Sequence, residues 1–317
     1  MSAIKRKHFL ALNDKFQAEF TGSYEAALEN DWASSLASKI PVSGRNNVIE
    51  MMAENLKIGF ESGRGTRVDL KSVGFELEVK RAEGGFELEK IAFKSAAAFE
   101  AAAERGTQAS AMLGHEAQLF PQSLVLQLMT AGTSATCVDG QPFFSATHYN
   151  NFRDSSAGTY SNYSTNMALT ADNVAAAIAQ IRGRKMPNGT PRNLQPKFLF
   201  HSTDLEAAAW AATDAQVITV AGSGANINSR ILAKYGIVPV AVPGINAKWW
   251  GIATANSAAS KVNLPFFIGT LDEFSLTDYS DLTDAELRRR SVLEYTAEGF
   301  LQATYGWPYL IHLCVAP

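Results

Sequence analysis

The sequence predicts an α+β fold laid out in consecutive segments, and three observations carry that prediction. Between residues 46 and 93 apolar residues recur with a period of two, the mark of half-buried strands. Residues 94–131 form an alanine-rich run with helical spacing. Between about 196 and 270 short apolar strands alternate with a helix, which suits a compact α/β unit.

Composition bounds the function. The 317 residues are 46% hydrophobic and 19% charged, with formal net charge −3, enough to bury one elaborate domain or two. The charge balance has no basic excess to suggest that nucleic-acid binding is the main task. No apolar run approaches the roughly 18 residues of a membrane span. Lys5, Arg6 and Lys7 have no sustained apolar stretch behind them, so no signal peptide is expected. Cys137 and Cys314 are the only cysteines and form no CxxC pattern, which fits synthesis in a reducing cytoplasm.

Residues 1–45 mix Phe9, Leu10, Phe16 and Phe20 with polar residues and read as helix pieces joined by loops. So little apolar content predicts an arm that lies along another surface or stays partly disordered. In the next segment Phe75, Leu77 and Val79 alternate with Glu76, Glu78 and Lys80. After Glu83-Gly84-Gly85, Phe86 and Leu88 alternate with Glu87 and Glu89. This predicts a hairpin with one apolar and one charged face. A second glycine-rich turn, Ser62-Gly63-Arg64-Gly65, lies upstream, and the thinly apolar whole should protrude rather than build a core.

The helical run follows, with Phe99, Met112 and Leu113 at helical spacing and few breakers beyond Gly106 and Gly114. Pro121 suits the first turn of a following helix carrying Leu124, Val125, Leu128 and Met129 before Gly132 ends it. Asp139-Gly140-Gln141-Pro142 is then a turn pinned by Phe143 and Phe144. Residues 149–169 read as a polar loop, and an amphipathic helix over 171–184 follows, capped by Thr170. Strands are expected at 197–200, 237–242, 249–255 and 266–269, with a helix after Ser202 or Thr203 through Leu205, Ala208 and Trp210. The end, 291–315, alternates again and is dense in aromatics.

Candidate chemistry is thin. Gly222-Ser223-Gly224 lacks the Lys-Ser/Thr pair of a phosphate loop and the third glycine of a dinucleotide fingerprint, so it reads as a turn. His8, His115, His148, His201 and His312 include no pair four residues apart, so no metal site and no cofactor is expected. Cys137, Asp139 and His148 are close in sequence, but the local sequence matches no cysteine-hydrolase signature. Carboxylate pairs at Glu50 and Glu54 and at Asp281 and Asp284 read as solvated faces or helix N-terminal residues. Arg288-Arg289-Arg290 reads either as a solvated helix end or as an intersubunit ionic contact. An arm and a hairpin without a core of their own suit a protein whose apolar surface is completed by other copies.

The same residues resemble the Mu-like phage major head subunit family, within the shell proteins of the HK97-like capsid fold. The resemblance begins in the helical run at 99–128 and passes through Asp139-Gly140-Gln141-Pro142-Phe143-Phe144 and His148. It continues in Leu169-Thr170-Ala171-Asp172-Asn173, Gly189-Thr190-Pro191 and Leu194-Gln195-Pro196-Lys197-Phe198-Leu199. Trp249-Trp250, Pro265-Phe266-Phe267-Ile268 and Tyr305-Gly306-Trp307 extend it to the end. Two departures stand out: residues 46–72 lack the family's tryptophan-rich stretch, and residues 86–93 replace its acidic run.

The resemblance implies a non-enzymatic major capsid protein that self-assembles into the icosahedral head of a tailed phage or prophage and encloses DNA without sequence specificity. It implies an N-terminal arm at 1–45, an extended loop across a neighbour at 46–93, and a peripheral domain with a spine helix at 94–195. An axial domain at 196–270 packs around five- and six-fold vertices, and strands at 271–317 return to the peripheral domain. Pentamers and hexamers of the chain, a separate scaffolding protein, a portal and decoration proteins are the implied partners, with no membrane. Intersubunit contacts are expected at Phe9 and Phe16 on the arm, Arg64 and Arg67 in the loop tip, Phe75, Leu77 and Val79 on the hairpin, and Arg288 and Arg289. The alternatives are an encapsulin-type shell around cargo enzymes and, more remotely, a cysteine hydrolase using Cys137 and His148.

Overall fold

A computed structural model describes residues 6–52, 72–89, 95–151, 154–186, 189–214, 218–219, 226–227, 235–254, 264–278 and 292–317. The arm is one continuous helix, α1 (Arg6–Ala27), in place of the expected pieces. Leu12, Phe16 and Phe20 recur every four residues and form a buried stripe against the spine, α2 (Ala96–Ala131). The two helices approach closely because α2 is notched where α1 crosses. A Cβ at Gly106 would lie 2.2 Å from Phe16, and one at Gly114 would lie 2.2 Å from the Phe20 carbonyl. The glycines that look like breakers in the sequence are the docking surface for the arm.

The spine is longer than expected. It runs unbroken for 36 residues, about 54 Å at 1.5 Å per residue, with Pro121 inside it. Proline removes one ladder bond at that point. The helix continues because residues on both sides are clamped, with Ala117 buried before the proline and Val125 and Met129 after it. Ser95 caps its start by accepting from the Ala98 N–H, and Tyr305 donates its hydroxyl to the Leu128 carbonyl near its end.

In chain order the strands are β1 (Ala37–Pro41), β2 (Asn46–Met52), β3 (Ser72–Glu78), β4 (Lys80–Glu89), β5 (His148–Asn151), β6 (Asp154–Tyr160) and β7 (Tyr163–Ser164). Then come β8 (Pro196–His201), β9 (Ile218–Thr219), β10 (Asn226–Ile227), β11 (Val238–Ala241), β12 (Trp249–Thr254), β13 (Phe266–Asp278), β14 (Val292–Tyr305) and β15 (Ile311–Val315). The remaining helices are α3 (Ala171–Arg182) and α4 (Glu206–Asp214). Two sheets organise the chain. One has the order β1-β13-β14-β4; the other has the order β11-β8-β12-β15-β7.

Pairing corrects the expected hairpin. β3 pairs antiparallel with β2, whereas β4 pairs with β14, Gly85 lying opposite Thr296. Gly84-Gly85 is therefore no turn but the middle of a strand. A Cβ on Gly85 would come within 2.6 Å of the Tyr295 carbonyl, so glycine lets the two backbones meet. The supposed polar loop also folds, as the β5–β6 pair and then β7.

The expected segment boundaries do not follow the sheets. β15, counted among strands returning to the peripheral domain, sits beside β12 in the five-stranded sheet, and α3 packs on that sheet too. One core joins the spine to both sheets: Val125 and Met129 meet Phe143 and Phe144 of the following turn, Phe266 and Leu301 of the four-stranded sheet, and Phe200 and Ile311 of the five-stranded sheet.

Candidate functional site

The turn after the spine is built as the sequence indicates, and it also gathers three reactive side chains. Gly140 takes φ +76°, which closes the turn, and its N–H donates to the Cys137 carbonyl. Phe143 and Phe144 donate their N–H groups to the Ala135 and Gly132 carbonyls, tying the turn to the end of the spine. Phe143 stacks on Tyr305 at 4.6 Å between centroids. The Phe143 carbonyl accepts from buried Asn162 at 2.7 Å, and Asn162 also donates to the Pro308 carbonyl. The hold on the downstream segment is thus made by this amide as much as by the aromatics.

Asp139 bridges the other two groups. One carboxylate oxygen accepts from Cys137 Sγ at 3.1 Å, and the other lies 2.7 Å from His148 Nδ1. The histidine, which looks partnerless in the sequence, is fully buried here, with Nε2 3.2 Å from the Phe143 carbonyl. Burial would raise the Asp139 carboxyl, but the hydrogen bond and charge of His148 together with the Cys137 donor hold it below its ordinary value. Burial, reinforced by the Asp139 contact, pushes the Cys137 thiol up to about 12. A nucleophilic cysteine needs the opposite: a lowered pKa and a base on its own sulfur. The carboxylate stands between thiol and imidazole, so the arrangement does not make a hydrolase.

A second polar centre anchors the last strand. Arg184 is buried and donates to the carbonyls of Tyr309, Ile311 and Ser161, with Nη2 3.2 Å from His312 Nδ1. Burial pushes Arg184 down to about 10. His312 falls to about 3, first through burial and then through the neighbouring Arg184 charge.

The structure redistributes the residues expected at subunit contacts. Phe16 is wholly buried between the spine and Tyr295, 5.0 Å ring to ring. Phe75 packs edge-on against Phe267 and Trp307, and Leu77 fills the space over Gly269. Val79 is buried as well. These four therefore belong to their own chain's core: Phe16 lies on the buried stripe of α1, and Phe75, Leu77 and Val79 alternate along a segment that closes over the protomer's own sheet. Arg64, Arg67, Arg288 and Arg289 lie outside the described residues, as does the side chain of Phe9; so do the Gly222-Ser223-Gly224 turn and the Asp281 and Asp284 pair.

Other apolar side chains stand outward among the described residues: Met112 is 69% exposed, Val48 59% and Trp210 50%, with Val238 on the edge strand β11 also exposed. The sequence puts Met112 at helical spacing with Phe99 and Leu113, and Trp210 in one helix with Leu205 and Ala208. Register separates them: Leu205, Ala208, Ala209 and Ala212 follow the packed face of the α4 region, and Trp210 falls off it. On the spine, buried Ala102, Ser110, Ala117 and Val125 mark the inner face, and Met112 is not on it.

A long spine docked on a half-covered sheet, a β2–β3 ribbon beside it and outward apolar side chains are features of the HK97-like capsid fold. Solved structures share the fold. The procapsid of bacteriophage JBD30 matches 99% of this chain and 77% of that chain at 14% identity and TM-score 0.52. Microbacterium phage Oxtober96 matches 91% of each at 10% identity and TM-score 0.51. The holo-SrpI encapsulin complex of Synechococcus elongatus PCC 7942 is a looser likeness, covering 90% of this chain and 86% of that one at 8% identity and TM-score 0.45. Comparison with curated proteins finds no match in sequence.

The family is shown directly. The chain belongs to the Mu-like prophage major head subunit gpT family, whose model matches residues 9–168, and a phage capsid protein model matches residues 107–292. It is therefore a structural major capsid protein of the virion head rather than an enzyme, and this family match favours the phage head over the encapsulin shell. Among the described residues no helix is long and apolar enough to cross a membrane.

Proposed function

We propose that this capsid protein builds its shell from closed rings of five and six copies, with the β2–β3 ribbon of each copy laid across a neighbour. In this reading the spine and the four-stranded sheet form the peripheral part. The five-stranded sheet with α3, α4 and β15 forms the axial part, a boundary shifted from the expected 196–270. A separate scaffolding protein, a portal and decoration proteins act with it, and DNA is enclosed without base readout, in keeping with the net charge of −3. The intersubunit roles of Phe9, Arg64, Arg67, Arg288 and Arg289 belong to the same proposal.

The observation that carries the reading is the exposure of Val48, Met112 and Trp210, while most other large apolar groups among the described residues are covered. Single exposed apolar residues are ordinary, but three bulky ones on a shell subunit are suited to central positions in interfaces. Trp210→Asp is expected to abolish regular particles in negative-stain electron microscopy while leaving the circular dichroism of the unassembled protein unchanged. Normal shells from Trp210→Asp, Val48→Asp and Met112→Asp alike would refute the assignment of these residues. Failure of the wild type to form shells, with or without a scaffold, would refute the assembly reading itself.

A further inference from the structure

The cluster of Cys137, Asp139 and His148 has no part in the assembly proposed above, and one imidazole in it faces two oxygen acceptors. Among the described residues it is the group whose thiol, carboxylate and imidazole donor atoms all lie within 4.8 Å of one another. His148 meets two acceptors, the Phe143 carbonyl at Nε2 and the Asp139 carboxylate at Nδ1, while a neutral imidazole has one N–H to give. A proton on Nε2, held by the carbonyl, leaves the Nδ1 lone pair facing a carboxylate oxygen 2.7 Å away. That contact is held either by a proton carried on Nδ1 or by a metal ion between the two atoms.

The geometry points to a zinc-class divalent metal site formed by Cys137 Sγ, the Asp139 carboxylate and His148 Nδ1, with one further position open to water. The donor set supports it: thiolate and imidazole favour zinc over magnesium or calcium, and three protein ligands plus water is a recurrent zinc arrangement. The Phe143 carbonyl on Nε2 is the outer contact that fixes tautomer and ring orientation in such sites. Tetrahedral zinc bonds of about 2.0–2.3 Å place donor pairs about 3.3–3.7 Å apart. The present 2.7 and 3.1 Å contacts would thus open by less than about 1 Å, with the ion replacing the protons now shared there. Binding releases to solvent the thiol proton and the proton shared between His148 Nδ1 and Asp139, and needs no oxidant. The site lies between the end of the spine and β5, so the ion would staple the turn to the strand after it.

The test is cobalt titration of the purified full chain after chelator treatment, because Co²⁺ reports thiolate ligation directly. One equivalent per chain is expected, with a near-ultraviolet thiolate-to-cobalt band that zinc abolishes. The band should vanish in Cys137→Ser and persist in Cys314→Ser, and zinc should raise the melting temperature of the wild type. Absence of the band in the wild type overturns the proposal whatever the variants do. A band that survives in Cys137→Ser, or that disappears in Cys314→Ser, overturns it too.

Discussion

The two sheets meet in one core but are built on different terms. The five-stranded sheet is covered on both faces. Leu199, Ile252 and Cys314 face α3 and α4, while their neighbours Phe200, Ala253 and Leu313 face the end of the spine. Its strands accordingly read as nearly continuous apolar runs. The four-stranded sheet turns Leu88, Leu293, Tyr295 and Ala297 toward α1 and α2 and leaves charged residues of β4, Arg81, Glu83 and Glu87 among them, outward. β4 alternates, whereas β13 begins with four buried residues, 266–269, under Phe75 and Leu77 of β3, so the open face is the one at β4. A sheet closed on both sides has no face left for a partner, whereas a sheet open on one side supplies surface that other copies can use.

That contrast can be broken most severely on the closed side. Arg184→Met removes the donor shared by the Tyr309, Ile311 and Ser161 carbonyls, so about 3–5 kcal/mol of stability should be lost in urea unfolding of the unassembled protein. A loss below about 1 kcal/mol would show that these carbonyls find other donors. On the half-open side, Gly114→Leu must push the Phe20 backbone off the spine, an overpacking of about 3 kcal/mol. Faster proteolysis within α1 would report it, and an unchanged cleavage pattern would contradict the docking described for the arm.

Acid should separate the two sheets. His312 is held near 3 in the fold against about 6.5 in an unfolded chain, so its contribution is fully present above pH 6.5 and fades as pH falls toward 3. About 2 kcal/mol should be lost between pH 7 and pH 5. His312→Gln should flatten that slope, and hydrogen exchange should show β15 loosening before β4. The smallest effect is expected at the open surface. Arg81 pairs with Glu83 and Glu298, but the arginine side chain is 48% exposed, and Arg81→Ala should change stability by about 0.5 kcal/mol or less.

Legibility followed the same contrast. Helix existence was readable in the run of alanines, the Thr170 cap and the α3 stripe, because these depend on neighbours three and four residues apart. The short buried strands were readable as apolar runs, with β13 and β14 longer than expected. Partner choice was not readable. Glu83-Gly84-Gly85 has the local chemistry of a turn, and only Tyr295 and Thr296, more than 200 residues away, make it a strand interior. Pro121 has the chemistry of a helix start, and packing on either side carries the spine through it. The polar segment after His148 hid its strands because its order comes from Asn162 and other buried polar contacts rather than from an apolar pattern.

By itself the sequence determined the kind of chain this is: an α+β protein with a long helix, a Phe-Phe turn behind it, no assembled catalytic signature, and the motifs of a phage head subunit. These follow from local propensity and spacing, which act between near neighbours. The tertiary structure alone decided which apolar side chains stay exposed. Phe16, Phe75, Leu77 and Val79 turned inward and Met112, Val48 and Trp210 outward. It also brought a thiol, a carboxylate and an imidazole to one point. Both outcomes rest on contacts between distant segments, whose free energy no local window of residues contains.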